Sequence, residues 1–226
     1  MNKQLFEYHP IIGYRFIPNI QTRVQHESGG YLVKTNSLGF RSELEFTPER
    51  TKNYKRILLF GDSYTAADGV SNKKRYSDIL MQLLPETEIY NFGMPGTGTD
   101  QQYLIYSEYA KNIEHDLVMV VVLVENIRRV NVQYRVYLNE KNERVVFQKP
   151  YFELENNALV LKNIPVDPNQ IRAKDFYTTE KKKLTQEADS PLSGSLSTKR
   201  ALKTWHRYLQ NINLFRNIKE IKGSGC

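Results

Sequence analysis

The sequence predicts an α/β fold, a three-layer α/β/α arrangement around a parallel sheet. Three observations predict it. Short apolar runs that do not alternate stand at "RILLF" (56–60) and "LVMVVVLV" (117–124), with a third strand candidate, "EIYNFG", between them. Two segments with apolar residues at helical spacing separate the three. The order is therefore β-α-β-α-β, which builds a parallel sheet with helices on its faces. Crossovers in such sheets are almost always right-handed.

Each element follows from its residues. Positions 1–55 read as a lead-in segment laid on the main domain, with a strand over Tyr31–Thr35 leaving a glycine turn and entering "NSLG". Asn36 and Arg41 stand in that segment as groups that tie loop backbone down or hold a ligand. The main domain spans 56–226. "RILLF" suits a strand buried on both faces. "RYSDILMQLL" places Tyr76, Ile79, Leu80, Leu83 and Leu84 at helical spacing, and Pro85 closes it. "TDQQYLIYSEYAKNI" opens with Thr99 and Gln102 in capping-box positions, and Tyr103, Tyr106, Ala110 and Ile113 share one face. "DLVMVVVLV" is the third strand.

Positions 130–170 change character. "VQYRVYL", "RVVFQ", "YFEL" and "ALVLKN" predict a β-hairpin insertion. Residues 172–198 have loop composition. An amphipathic helix is expected over 199–222, with Leu202, Trp205, Leu209, Ile212 and Phe215 or Arg216 on one face.

Composition narrows the function classes. The 226 residues carry a net charge of +7, with 40% hydrophobic and 25% charged residues, as in ordinary soluble domains. Neither basic-aromatic interleaving nor finger spacing points to nucleic acid. The single cysteine, Cys226, excludes an internal disulfide and a cysteine metal site. Histidines and carboxylates never cluster at ligand spacing, so no metal or cofactor is expected. The longest apolar run falls far short of the roughly 20 residues of a membrane span. With no apolar leader at the N-terminus, the chain reads as cytoplasmic.

The chemistry concentrates at three strand ends. The first strand runs into Gly61-Asp62-Ser63, the second into Asn91-Phe92-Gly93, the third into Glu125-Asn126. In a parallel sheet these loops share one edge, where open α/β sheets place their ligand crevices. Ser63 brings a hydroxyl and its own N–H, Gly93 an unobstructed N–H, Asn126 an amide. Three donors around one oxygen are what acyl transfer needs to hold a tetrahedral oxyanion.

"FGDSYT" resembles the first motif of the GDSL/SGNH hydrolases, and "NFGMPGTGTDQQ" the second. "VLVENI" is similar to a degraded third motif, whose usual form is Gly-x-Asn-Asp. "HPIIGYRFIPN" and "TNSLGFR" resemble a bacterial branch linked to acyl chemistry on carbohydrates or lipids. The likeness covers roughly Tyr8 to Pro168. It implies a flavodoxin-like three-layer fold and a serine ester hydrolase or acyl (acetyl) transferase acting on a glycan, lipid or small ester. It also implies Ser63 as nucleophile and oxyanion N–H, with Gly93 and Asn126 as the other donors, and leaves Asp62 as a turn residue. Two positions depart from the pattern. Asn126 lies between Glu125 and Ile127 where the family has a small residue and Asp, and Ala67 replaces Gly.

A serine needs a base. The family supplies histidine with aspartate three residues before it. Here Phe6 precedes His9, Arg23 precedes His26, Asn112 precedes His115 and Lys203 precedes His206 at that distance. None fits, and a five-stranded sheet would still need two strands after the long helix. The sequence therefore reads as truncated before the Asp-x-x-His motif, with the outer edge of the third strand unpaired. The missing histidine also favours an alternative, a catalytically incomplete binding module. A nucleotide-binding domain is a weaker one. "GMPGTG" opens a helix where phosphate could bind, but the glycine spacing is wrong, Pro95 lacks an N–H and no G-K-[ST] exists.

Overall fold

The computed structural model describes residues 5–26, 29–138, 143–173 and 175–176. The amphipathic segment 199–222 and most of the polar stretch 172–198 lie outside the described residues. The fold is mixed α/β, rich in strands, and centred on a parallel sheet of three.

The lead-in forms two antiparallel hairpins. β1 (Phe6–His9) pairs with β2 (Gly13–Phe16), and β3 (Gln21–Val24) with β4 (Tyr31–Lys34). The parallel sheet follows. β5 (Lys55–Phe60) leads into the short helix α1 (Ser63–Ala66) and then α2 (Tyr76–Leu83). β6 (Thr87–Asn91) leads into α3 (Thr99–Ile105), which runs on through a π-helical turn, Tyr106–Ala110. β7 (Leu117–Val120) gives way to a 3₁₀ segment, Val124–Asn131. The order across the sheet is β6-β5-β7, so the first crossover steps one way and the second returns past β5.

The central position of β5 explains its unbroken apolar run. Leu58, Leu59 and Phe60 are all buried although they point to alternate faces. One face, with Leu58, Phe60 and Tyr90, joins a single core with Leu104, Ile105 and Ile113. That core also takes Ile12, Phe16, Val33 and Phe40 from the lead-in. Arg56 locks the lead-in to the foot of the sheet. Fully buried, it donates to the carbonyls of Thr47 and Glu49, pairs with Glu88 and stacks 4.3 Å over the Tyr90 ring.

Three expectations are corrected in detail. The α2 residues Tyr76, Ile79 and Leu83 are exposed, and Ser77 and Asp78 are the buried ones. Asp78 is drawn in by Arg75, which it binds through both oxygens. The capping box does not form: Gly98 caps α3, Thr99 is its first residue, and no side chain bonds the cap. The third strand stops at Val120 rather than continuing to Val124, and Leu117 and Met119 stand 40% and 38% exposed. Its outer edge pairs with nothing among the described residues.

The predicted insertion is strand-rich. β8 (Tyr134–Leu138) and β9 (Arg144–Gln148) pair antiparallel, β12 (Ile171–Arg172) adds to β9, and β10 (Tyr151–Glu155) pairs with β11 (Ala158–Lys162). Lys149, at the turn between β9 and β10, reaches into the main domain as a buried ion pair with Asp100. No helix among the described residues is long and apolar enough to cross a membrane.

Candidate functional site

Gly61-Asp62-Ser63 leaves the carboxyl end of β5 and turns at once into α1. Asp62 makes that turn. Its carbonyl accepts the N–H groups of Thr65 and Ala66, and its Oδ1 accepts the N–H of Tyr64 at 3.0 Å. Ser63 is thereby fixed as the first residue of the helix, half-buried, with Tyr64 69% exposed beside it. Ser63 Oγ has no hydrogen-bond partner among the described residues.

The other end of α1 is set by Ala67, at φ 60° and ψ 61°. This is the left-handed conformation that glycine adopts freely and that costs alanine about 1–2 kcal/mol. The family's glycine at this position has a physical reason, and this chain tolerates alanine there. Arg41 holds the strained turn. Its guanidinium donates to the carbonyls of Ala66 (2.8 Å), Ala67 (2.9 Å) and Val70 (2.6 Å). Burial, with Arg75 close by, lowers the Arg41 guanidinium to about 10. Asn36 also serves loop backbone, accepting from Phe40 N and donating to Leu44 O.

The three loops do meet. Gly93 packs against α1 so closely that a Cβ there would lie 2.5 Å from Ala66 N and 2.7 Å from Thr65 C. Asn126 reaches Asp62 from the 3₁₀ segment after β7, its Nδ2 donating to Asp62 Oδ2. Arg129 approaches the same oxygen at 3.5 Å.

Two of the three expected donors are engaged within the protein. The Gly93 N–H donates to Asn91 Oδ1 at 2.8 Å, and the Asn126 amide is the one held by Asp62. Asn91 is a site residue the sequence reading passed over. Its Nδ2 donates to Thr65 O and Ser77 Oγ, both at 2.8 Å, so one buried amide ties β6 to α1 and α2. The signal was an asparagine ending a strand beside the glycine motif. The "MPGTG" backbone is also occupied: Met94 N donates to Gly61 O and Thr97 N to Met94 O.

Ser63 opens on a groove of about 510 Å³ lined by Tyr64, Ala67, Asp68, Val70, Lys74, Arg75 and Tyr76. A smaller recess of about 10 Å³, near the volume of one water molecule, lies between Asp62, Gln102 and Asn126. Asp68 is the carboxylate of the groove. Its crowded side pushes the carboxyl up, Arg41 pulls it down and Asp62 pushes it up again. Because Asp68 is solvent-exposed along the groove, water screens most of that effect.

None of the described histidines lines the groove. His9 is bonded in the β1–β2 turn, and His115 Nδ1 meets Ile113 O at the opposite edge of the sheet. His26 lies beside Gly69, behind the groove's loop. His206 lies outside the described residues. No group of His, Cys, Asp and Glu among the described residues could hold a metal ion. The chain matches no protein-family model and no curated protein.

Proposed function

We propose that this chain is a serine ester hydrolase or acyl transferase of GDSL/SGNH type, with Ser63 as nucleophile. The substrate would carry a small acyl group, such as acetyl, on a glycan, lipid or small molecule. One observation carries the reading. Ser63 stands at the carboxyl end of the central parallel strand, unpartnered and open to a groove, with the loops of both neighbouring strands packed around its turn. The resemblance of "FGDSYT" and "NFGMPGTGTDQQ" adds to it, and a three-layer α/β/α architecture belongs to the same proposal.

In the reaction, Ser63 Oγ attacks the ester carbonyl and gives up its proton to a base. The carbonyl becomes a tetrahedral oxyanion, then the alcohol leaves with a proton and an acyl-serine remains. Water or an acceptor hydroxyl takes the acyl group in the second half. For Gly93 and Asn126 to hold the oxyanion, the N–H must leave Asn91 Oδ1 and the amide must leave Asp62 Oδ2. Stabilising charge that forms only in the transition state is where such donors act.

The engaged donors and the absence of a described histidine from the groove favour a second reading, a binding module with an idle serine. A fluorophosphonate probe separates them. The first reading expects labelling of the chain that Ser63→Ala abolishes. Equal labelling of Ser63→Ala, or none in the unaltered chain with or without residues encoded beyond Cys226, favours the second.

A further inference from the structure

The parallel sheet is covered unevenly. Side chains alternate along each strand, and register partners share a face. Leu59 pairs with Asn91 on one side and Met119 on the other, while Ile57 pairs with Ile89 and Leu117. All of these therefore share the face on which Asn91 bonds Ser77 of α2. Under α2 that face is closed, with Leu59 at 2% and Ile89 at 5% exposure. Over β7 it is open, at Leu117 and Met119. Parallel strands are normally covered on both faces, so an apolar edge strand with one bare face is a surface prepared for an occupant.

The chain carries a suitable occupant. The segment 199–222 repeats Leu202, Trp205, Leu209 and Ile212 at helical spacing, among lysines, arginines and other polar residues. As a helix it would run about 36 Å, more than enough to cross the roughly 13 Å of a four-residue strand. The polar residues 177–198 could span up to about 70 Å, so the connection sets no geometric bar. The structure also leaves room in the right layer, because α2 covers only the β6 side.

The geometry points to segment 199–222 as the cover of the Leu117–Met119 face, packed beside α2 by its Trp205 stripe. This assignment does not depend on the chemistry of Ser63.

Trp205 is the only tryptophan in the chain and reports directly. In the full chain its emission should be that of a buried indole, shielded from acrylamide. Leu117→Lys with Met119→Lys should shift it to the red and raise quenching several-fold, with the far-ultraviolet dichroism of the strands retained. Both leucine and methionine are already partly exposed, so the lysines should be tolerated. If they are not, a Met119→Cys, Leu209→Cys, Cys226→Ser chain gives a second reading, through a short bismaleimide link within one molecule. Exposed-indole emission in the unaltered chain overturns the assignment, as does failure of that link. A link between molecules, or a dimer that the lysines split, gives the face to a second copy and overturns it equally.

Discussion

The Asn126 side-chain amide donates to Asp62 Oδ2, while Asp62 Oδ1 accepts the N–H of Tyr64 at 3.0 Å. One carboxylate thus joins the end of the third strand to the cap of the serine turn. Asn126→Ala should lower stability by about 1 kcal/mol, the scale of one hydrogen bond and a weakened cap. If the amide also serves the oxyanion, Ser63 acylation should fall about 10²–10³-fold. Melting curves and labelling rates separate the effects: a stability loss alone makes Asn126 a brace and nothing more.

Asn91 is a stronger brace. Removing its amide strands the Gly93 N–H, the Thr65 carbonyl and the Ser77 hydroxyl together in a buried place. At about 1–3 kcal/mol for each group left unsatisfied, Asn91→Ala should cost several kcal/mol in urea unfolding. Asn91→Asp should fare no better, because a carboxylate oxygen would face the Thr65 carbonyl. A variant as stable as the unaltered chain would show that water replaces the amide.

These two residues mark what was legible in the sequence. Strand order follows from apolar runs and the turns between them, because a parallel sheet buried on both faces demands that pattern. The shared edge of the three loops follows from strand direction. Hydrogen-bond occupancy does not follow, since it depends on which side chain reaches a donor in space; Asn91 takes the Gly93 N–H only because β6 sits beside α1. Helical spacing likewise placed α2 but not its buried side. Arg75 and Asn91 pull Asp78 and Ser77 inward, leaving Ile79 and Leu83 out. Arg41 gave no sign in one dimension of its hold on Ala66–Val70.

Gly93→Ala tests the contact between the second loop and the serine turn. The added methyl would press on backbone atoms of Thr65 and Ala66, and on Asn91 Oδ1 at 2.8 Å. Backbone in a helical turn yields poorly, so a loss of about 1–3 kcal/mol is expected, together with slower labelling of Ser63 as α1 shifts. A fully stable variant with unchanged labelling would show that the two loops slide past each other freely.

The Lys149–Asp100 pair joins the strand-rich insertion to α3, with side chains 2% and 1% exposed. Burial pushes the Asp100 carboxyl up, and the Lys149 ammonium opposes it. Asp100 Oδ1 has no partner, and neither do the side-chain oxygens of Gln101 and Gln102. Lys149→Met should therefore cost about 3–5 kcal/mol by leaving a charge alone in the interior, and Lys149→Met with Asp100→Leu should recover most of it. Failure of the double variant to recover would place the energy in the lysine's bonds to the Val132 and Pro150 carbonyls.

His9 gives the fold an acid limit. Its Nδ1 accepts the N–H groups of Ile11 at 3.2 Å and Ile12 at 3.1 Å, so the ring proton sits on Nε2 and points to Tyr109. Protonating Nδ1 would break both backbone bonds. Burial, and secondarily the nearby Arg15, hold the His9 pKa below its ordinary 6.5, with Glu7 opposing them. A group whose folded pKa is depressed leaves the unfolded chain binding more protons in the interval between the two values. The stability it contributes is complete above 6.5 and is lost as the pH falls through the lower folded value. Melting temperature should thus drop on acidification from about pH 7 to about pH 5, and His9→Gln should flatten that slope. An equal slope in His9→Gln would assign the acid sensitivity to carboxylates elsewhere in the chain.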